Sequence, residues 1–426
     1  MLNRVEDSGA VFYEDSDQVD PVVILKQYGI NTVRLRLWHN PIEGYSNLND
    51  VLSSAERAKS ESLDLILDFH YSDTWADPAN QEKPIAWQGI PFQVLCDSIE
   101  LYSQHVISKL KQQNTLPRYV QIGNETDCGI LWPEGYVCDS SDNEFQWGQL
   151  KKLYRHAIKG INQPLFDNDT LKIISHVSHN GSWYFNNLIG DSLDFDVLAI
   201  SYYPMWHGSL NDLNEDINHL SIQFQKPILI AETAYPFTLN WNDNINNILG
   251  LESQLLEGYN ASEIGQFLFI QDVITLIKNN NFGLGISYWA PEWISTDTYG
   301  SSWENQALFD FDGEILDGAQ AFSDHNVSMK LEKTNGSNVI NNVPNPFNPF
   351  TYIKYEVQER SDINITIYNI LGNTIKNLLN ENQTSGIKMI KWDSTDNQNN
   401  PVSSGVYFYK IILGDKTYTK KMLLLN

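Results

Sequence analysis

The chain has 426 residues, 42% hydrophobic and 12% aromatic, which is globular material long enough for one large domain and a smaller one. Its formal net charge of −25, from 53 acidic against 28 basic residues, repels phosphate backbones and acidic polysaccharides, so no nucleic-acid partner is expected and a neutral substrate fits best. No apolar run approaches the roughly 20 residues that cross a membrane, and Met1 to Glu6 shows no apolar signal-peptide core, so neither a membrane span nor a signal peptide is expected within this chain.

Strand-like runs recur with helical patterns between them. The runs are Thr32 to Trp38, Leu63 to His70, Tyr119 to Gly123, Leu171 to His176, Phe195 to Ser201, Pro227 to Ala231 and Gly283 to Trp289. Apolar residues at helical spacing mark Val51 to Ser60, Gln93 to Gln112 and Gly265 to Lys278. Alternating strands and helices predict a parallel sheet with right-handed crossovers. Seven strands are counted where an eight-stranded barrel needs one more, and residues 1–19 offer no convincing strand. The expected fold is therefore α/β, a (β/α)8 TIM barrel lacking its first strand, over residues 1–328. Residues 329–343 read as a linker. Residues 344–426 carry short alternating strands, Tyr352 to Val357, Ile363 to Ile370, Ile387 to Trp392, Val406 to Leu413 and Tyr418 to Leu425, and predict a small all-β sandwich.

Two glutamates end two of the barrel runs: Glu125, in Gln121-Ile-Gly-Asn-Glu125, and Glu232, in Ile228-Leu-Ile-Ala-Glu232. Strand-end carboxyls at the mouth of a β/α barrel suit a glycosidase, which needs one carboxyl to protonate the leaving oxygen and one to attack or stabilise the sugar cation. Asn124 is placed to bind the sugar 2-hydroxyl. Arg34 and Arg36, two apart, face one side of their strand, and the Glu232 carboxylate is a natural partner. His70, Asp73 and Trp75 follow the second run and are read as substrate contacts, since no third ligand accompanies His70 and Asp73 for a metal. Tyr203, Trp206, His207 and Trp289 stand at later strand ends, where aromatic faces stack on sugar rings. Cys96, Cys128 and Cys138 show no zinc spacing. Cys128 and Cys138 sit close enough to bridge within one loop, and free thiols are an equal alternative.

The segments Val33-Arg-Leu-Arg-Leu-Trp38, Leu67-Asp-Phe-His-Tyr-Ser-Asp-Thr-Trp-Ala-Asp-Pro78, Gln121-Ile-Gly-Asn-Glu125, Ser201-Tyr-Tyr-Pro-Met-Trp-His-Gly208 and Glu232-Thr-Ala-Tyr-Pro236, in that order, resemble glycoside hydrolase family 53, the endo-β-1,4-galactanases. The resemblance covers about residues 1–325. It implies a secreted enzyme, a retaining endo-hydrolase of β-1,4-galactan in pectin side chains, with Glu125 as acid/base and Glu232 as nucleophile. No cofactor is required. The family opens with a Gly-Ala-Asp-Val-Ser type strand just before the position of Leu2, which this chain lacks. Bacterial members also bind calcium after the seventh strand. Here Asp243, Asn247, Ser301 and Glu304 are the candidate ligands for such a structural calcium, which takes six to eight oxygens. Two other readings remain: a retaining barrel glycosidase acting on mannan or glucan, and a non-catalytic glycan-binding relic.

The tail resembles a second family. Pro344-Asn-Pro-Phe-Asn-Pro349, Ile367-Tyr-Asn-Ile-Leu-Gly372 and Ser403 to Lys410 look like the C-terminal sorting domain of type IX secretion. That implies the type IX machinery as a partner, and a protein secreted from, or held on the surface of, a Gram-negative cell; a monomer is expected. An accessory carbohydrate-binding sandwich is the alternative for the tail.

Overall fold

A computed structural model describes residues 2–138, 144–190, 193–323, 340–343, 345–347, 350–357, 360–384, 386–414 and 416–425. Contacts divide the chain into two compact units, Met1–Phe322 and Ser323–Asn426.

In the first unit seven parallel strands pair in chain order: Thr32–Leu37, Asp64–Phe69, Tyr119–Ile122, Lys172–Val177, Val197–Ser201, Ile228–Thr233 and Gly283–Tyr288. Helices return the chain between them, chiefly Leu48–Ser60, Phe92–Gln112, Glu144–Asn162, Leu210–Phe224 and Glu263–Asn279. Their starts are chemically marked. Asn47 accepts a hydrogen bond from the Asp50 amide, Ser262 from that of Gly265, and Ser209 and Asp212 form a reciprocal box. This is the TIM-barrel arrangement expected from the sequence, with seven strands paired. The five inner strands are almost wholly buried, whereas Thr32–Leu37 and Gly283–Tyr288, at the two ends of the sheet, are mostly half-buried.

Strand pleat sorts the residues. Ile66, Tyr119, Ile174, Val197, Ala199, Leu229 and Ala231 form one buried apolar cluster. Further along the strands, ladder pairs join Arg36 to Asp68, Asp68 to Gln121 and Ser201 to Glu232. A polar layer thus lies at the C-terminal ends of the strands, above an apolar one. A second cluster, Val5, Phe12, Ile24, Ile294, Ala307 and Phe309, joins the N-terminal segment to the loops after Tyr288, with the Phe12 and Phe309 rings edge-to-face at 4.7 Å.

The second unit holds two antiparallel sheets. One orders Ile340–Val343, Thr351–Val357 and Gly386–Trp392; the other orders Thr374–Gln383, Ser361–Asn369, Gly405–Leu413 and Lys416–Leu424. Side chains from both sheets, among them Ile353, Trp392, Ile365, Tyr409 and Met422, share one core. Two strands escaped the sequence reading. Ile340–Val343 falls in the segment taken as linker, whose residues 329–339 lie outside the described residues, as do Pro344, Asn348 and Pro349 of the tail's Pro- and Asn-rich run. Thr374–Gln383 was missed because its sequence TIKNLLNENQ lacks strict alternation.

Separate cores predict separate folding. A chain ending at residue 330 should retain the barrel's calorimetric transition; a midpoint lowered by more than about 4 °C, the size of a 1 kcal/mol loss in a large domain, would contradict this.

Candidate active site

The layer at the strand ends is organised by one guanidinium. Arg34, whose side chain is 5% exposed, donates from Nη1 to Glu232 Oε1 at 2.9 Å, and from Nη2 to Asp68 Oδ2 at 2.9 Å and Asn124 Oδ1 at 2.7 Å. Its Nε donates to Gln121 Oε1 at 3.1 Å. Burial opposes its charge, but Asp68 and Glu232 hold it above its ordinary value. Burial likewise works against the Asp68 carboxylate, yet Arg34 and His70 keep it below the usual range.

Glu232 reaches this site through a local irregularity. The ladder pairs Ile230 with Ile200, then skips one residue to pair Glu232 with Ser201. Plain alternation would face Glu232 away from the axis. The extra residue, Ala231, re-aims it inward. The Tyr203 hydroxyl donates to Glu232 Oε2 at 3.0 Å, so both carboxylate oxygens accept hydrogen bonds. Burial leaves this carboxyl above its ordinary value; Arg34 pulls it back toward the charged form, the Asp68 charge raises it further, and the Arg34 and Tyr203 hydrogen bonds favour the anion.

Glu125 is held differently. Its φ is +44°, two residues after Gly123 at +77°. A Cβ on Gly123 would stand 2.4 Å from Thr126 Cγ2, so this turn requires glycine. The Glu125 carboxyl accepts from the Ser201 hydroxyl at 2.6 Å on Oε1. Burial, then the Glu232 charge, push its pKa up to about 8. Two adjacent carboxyls therefore differ in proton affinity. Glu232 has a cation and two donors on its oxygens; Glu125 has one hydroxyl and no cation in contact.

The other residues singled out in the sequence fall into three groups. Asn124 joins the Arg34 network and donates from Nδ2 to Ala76 O. His70 donates to Asp68 at 3.1 Å and accepts from the Ala76 amide, and burial keeps it neutral. Arg36 does not reach Glu232. Its guanidinium lies 3.9 Å from the Trp75 ring centre, 4.5 Å from that of Trp38 and 5.8 Å from that of Trp289, a cage of tryptophans at the mouth. Burial lowers its pKa to about 10, so it stays charged at neutral pH. Tyr203 touches Glu232, and Trp206 beside it is 57% exposed. His207 accepts from the Tyr203 amide and stacks on His179 at 4.8 Å. Asp73 stands apart: its two oxygens accept from the Asn40 and Ile85 amides, tying two loops together. Cys128 and Cys138 form a disulfide in the loop that follows Glu125, and Cys96 is free and buried.

Sequence reading missed Asp68, Gln121, His176 and Ser201. All four are at most 1% exposed. Their signal was present as polar residues at the inward positions of otherwise apolar strands.

The calcium candidates are mostly engaged. Asp243 accepts from the Ser301 and Ile245 amides, Glu304 Oε1 accepts from the Asn242 amide, and the Ser301 hydroxyl donates to Trp293 O. Asn247 Oδ1 and Glu304 Oε2 are buried without a hydrogen-bond partner. These two oxygens are the part of the candidate set with no partner in the structure, and no step below runs through a cation. Among the described residues no three His, Cys, Asp or Glu side chains group to hold a metal ion.

A parallel barrel with two unlike carboxyls at the C-terminal strand ends and tryptophans at its mouth is a glycoside hydrolase. The particular family follows from comparison: residues 1–322 match glycosyl hydrolase family 53, and the chain belongs to that family, whose hydrolysis needs no cofactor. An arabinogalactan endo-β-1,4-galactanase of Cellvibrio japonicus is 36% identical over 72% of this chain and 84% of its own length. An endo-β-1,4-galactanase of Bacillus subtilis is 30% identical over 75% and 82%. The solved family 53 catalytic domain of Ignisphaera aggregans is 34% identical, with TM-score 0.70, over 75% of this chain and 92% of that one. Residues 343–425 match the secretion system C-terminal sorting domain, so the tail carries a secretion signal of that type.

The Gly123 turn yields a paired test. Gly123→Ala should cost about 1–2 kcal/mol in urea unfolding, because L-residues are strained at this φ. Gly148→Ala, in open space on the Glu144–Asn162 helix, should gain roughly 0.5–1 kcal/mol. Equal effects of the two would show that the turn does not need glycine.

Proposed function

We propose that this chain is an endo-acting β-1,4-galactanase that retains anomeric configuration, with Glu125 as general acid/base and Glu232 as nucleophile. The observation that carries the reading is the unlike treatment of the two carboxyls: Arg34 and Tyr203 stabilise Glu232 as an anion, while Glu125 is pushed up to about 8.

The geometry suits double displacement. Ser201, whose hydroxyl touches Glu125, is the ladder partner of Glu232. Neighbouring strands lie roughly 4.8 Å apart, and retaining enzymes place their carboxyls about 5–5.5 Å apart. In the first step Glu232 attacks the anomeric carbon while Glu125 gives its proton to the departing glycosidic oxygen. In the second, ionised Glu125 takes a proton from water, which displaces Glu232 from the sugar. The −25 charge and the tryptophan cage suit a neutral polysaccharide, and the named relatives supply galactan as its identity. Asn124, His70, Trp75, Trp206 and Trp289 are the proposed sugar contacts. The tail directs export by the type IX route and takes no part in catalysis.

Early products from unsubstituted galactan should be oligosaccharides with retained β-anomers by NMR; galactose alone, or inverted products, would refute endo-retention, and faster turnover of mannan or glucan would refute the substrate. Glu232→Gln should lower kcat by at least about 10³-fold on any substrate. Glu125→Ala should be comparably slow on galactan yet keep much of the first step on an aryl galactoside, whose leaving group needs no proton. Equal losses on the aryl substrate would show the roles misassigned.

The acid must be protonated, so kcat/KM should fall as pH rises through about 8. An alkaline limb near the ordinary carboxyl value of 4.5 would show that burial and Glu232 do not raise Glu125.

A further inference from the structure

Behind Glu125 lies a closed ring of hydrogen bonds that the reaction above does not use. The Glu125 backbone N–H donates to His176 Nδ1 at 3.3 Å. A backbone amide is only a donor, so Nδ1 must be the acceptor and the ring proton of a neutral His176 sits on Nε2. Gln121 Nε2, 3.1 Å from the same Nδ1, presents a donor as well, because its amide oxygen faces Arg34 Nε. His176 Nε2 lies 3.0 Å from the Ser201 hydroxyl and therefore donates to it. With that imidazole donating, the Ser201 proton has one acceptor among the described residues, Glu125 Oε1 at 2.6 Å. His176 and Ser201 are 0% and 1% exposed, so solvent does not compete for these bonds.

We propose that His176 and Ser201 are positioning residues that reserve Oε1 of Glu125 as a permanent acceptor and so confine the transferable proton to Oε2. This rests on Glu125 being the acid/base. A proton on Oε1 would face the Ser201 oxygen and leave the buried Ser201 proton without a partner, at the cost of an unmade hydrogen bond. The ring is compatible with both halves of the reaction. In the first step Oε2–H passes its proton to the glycosidic oxygen and Oε2 becomes the anion. In the second, Oε2 takes a proton from the attacking water. Ser201 donates to Oε1 throughout, and the His176 tautomer never changes. The backbone amide of Glu125 thus sets the orientation of the hydroxyl that aims its own side chain.

The groups facing Glu125 give the arrangement a distinctive pH signature. Glu232 approaches from the strand Ile228–Thr233, Asp127 from the loop of Glu125 itself, Arg34 from the first strand, and Tyr203 from the loop after Ser201. Burial and the Arg34 charge keep His176 uncharged. Of these neighbours Ser201 is the one whose hydroxyl donates to Glu125, and that donation favours the ionised carboxyl. Removing it should raise the affinity of Glu125 for its proton. A merely structural loosening would admit water and lower it.

The test uses the full chain and soluble galactan. Ser201→Ala should move the alkaline limb of kcat/KM up by about one pH unit, the size of one lost hydrogen bond to a charged group, and leave the acid limb in place. A limb that stays or moves down would overturn the proposal. Independently, ¹⁵N-histidine NMR of the parent chain should show His176 as the Nε2–H tautomer, without titration across the range where imidazoles ordinarily ionise. An Nδ1–H tautomer, or a titrating ring, would also overturn it. Failure of the underlying assignment looks different: Glu125→Ala would then turn over galactan at the parent rate, whatever the Ser201 profile shows.

Discussion

The site depends on the charge balance around Arg34. Buried ion pairs persist only where attraction and hydrogen bonds offset a desolvation cost of several kcal/mol per ion. Here two guanidiniums, Arg34 and Arg36, share one layer with the carboxylates of Asp68 and Glu232. That balance leaves Glu125 as the third carboxyl, with no cation of its own. Burial, and then the neighbouring Glu232 charge, therefore raise its proton affinity with no cation in contact to oppose them. Arg34 also sets positions: its four donations reach residues of three other strands or strand ends, so the same group that neutralises Glu232 fixes Asn124, Asp68 and Gln121. Replacing Arg34 by an apolar residue would strand two buried carboxylates, a loss of roughly 3–5 kcal/mol for each broken pair by the usual measure.

Backbone irregularity does the aiming. Ideal strands would point Glu232 outward and run past Glu125. A one-residue bulge at Ala231 corrects the first, and a left-handed turn through Gly123 and Glu125 corrects the second. Tyr71 and Ala290, each two residues beyond the end of its strand, also have positive φ, at 49° and 47°. Non-glycine residues in this region cost free energy, and their recurrence at the strand ends places the strain where side chains converge. The apolar layer beneath supplies the rigidity that holds it.

The sequence was most legible where one period dominated. All seven barrel strands were placed within about two residues, since five are buried on both faces and read as continuous apolar runs. Glu125 and Glu232 stood out because each breaks such a run. The polar support did not stand out: Asp68, Gln121, His176 and Ser201 are single polar residues whose meaning lies in partners 25 to 76 positions away. Asp73 lies among recognisable site residues, and its two oxygens also accept from local amides, a role its sequence context does not signal. Two strands of the tail were lost: Thr374–Gln383 lacks strict alternation, and Ile340–Val343 lies in a polar stretch that reads as linker.

The histidines complete the electrostatic picture. His70, His176 and His207 line the site, and burial lowers each of them, His207 to about 4. They act near neutrality as fixed dipoles with one donor and one acceptor each, not as charges. His70 turns its donor to Asp68 and its acceptor to the Ala76 amide; His176 does the same between Ser201 and Glu125. Protonating either ring would place a second donor against an amide donor and add a cation beside Arg34 and Arg36. The network resists that change, which leaves the carboxyls as the groups that titrate within the working range.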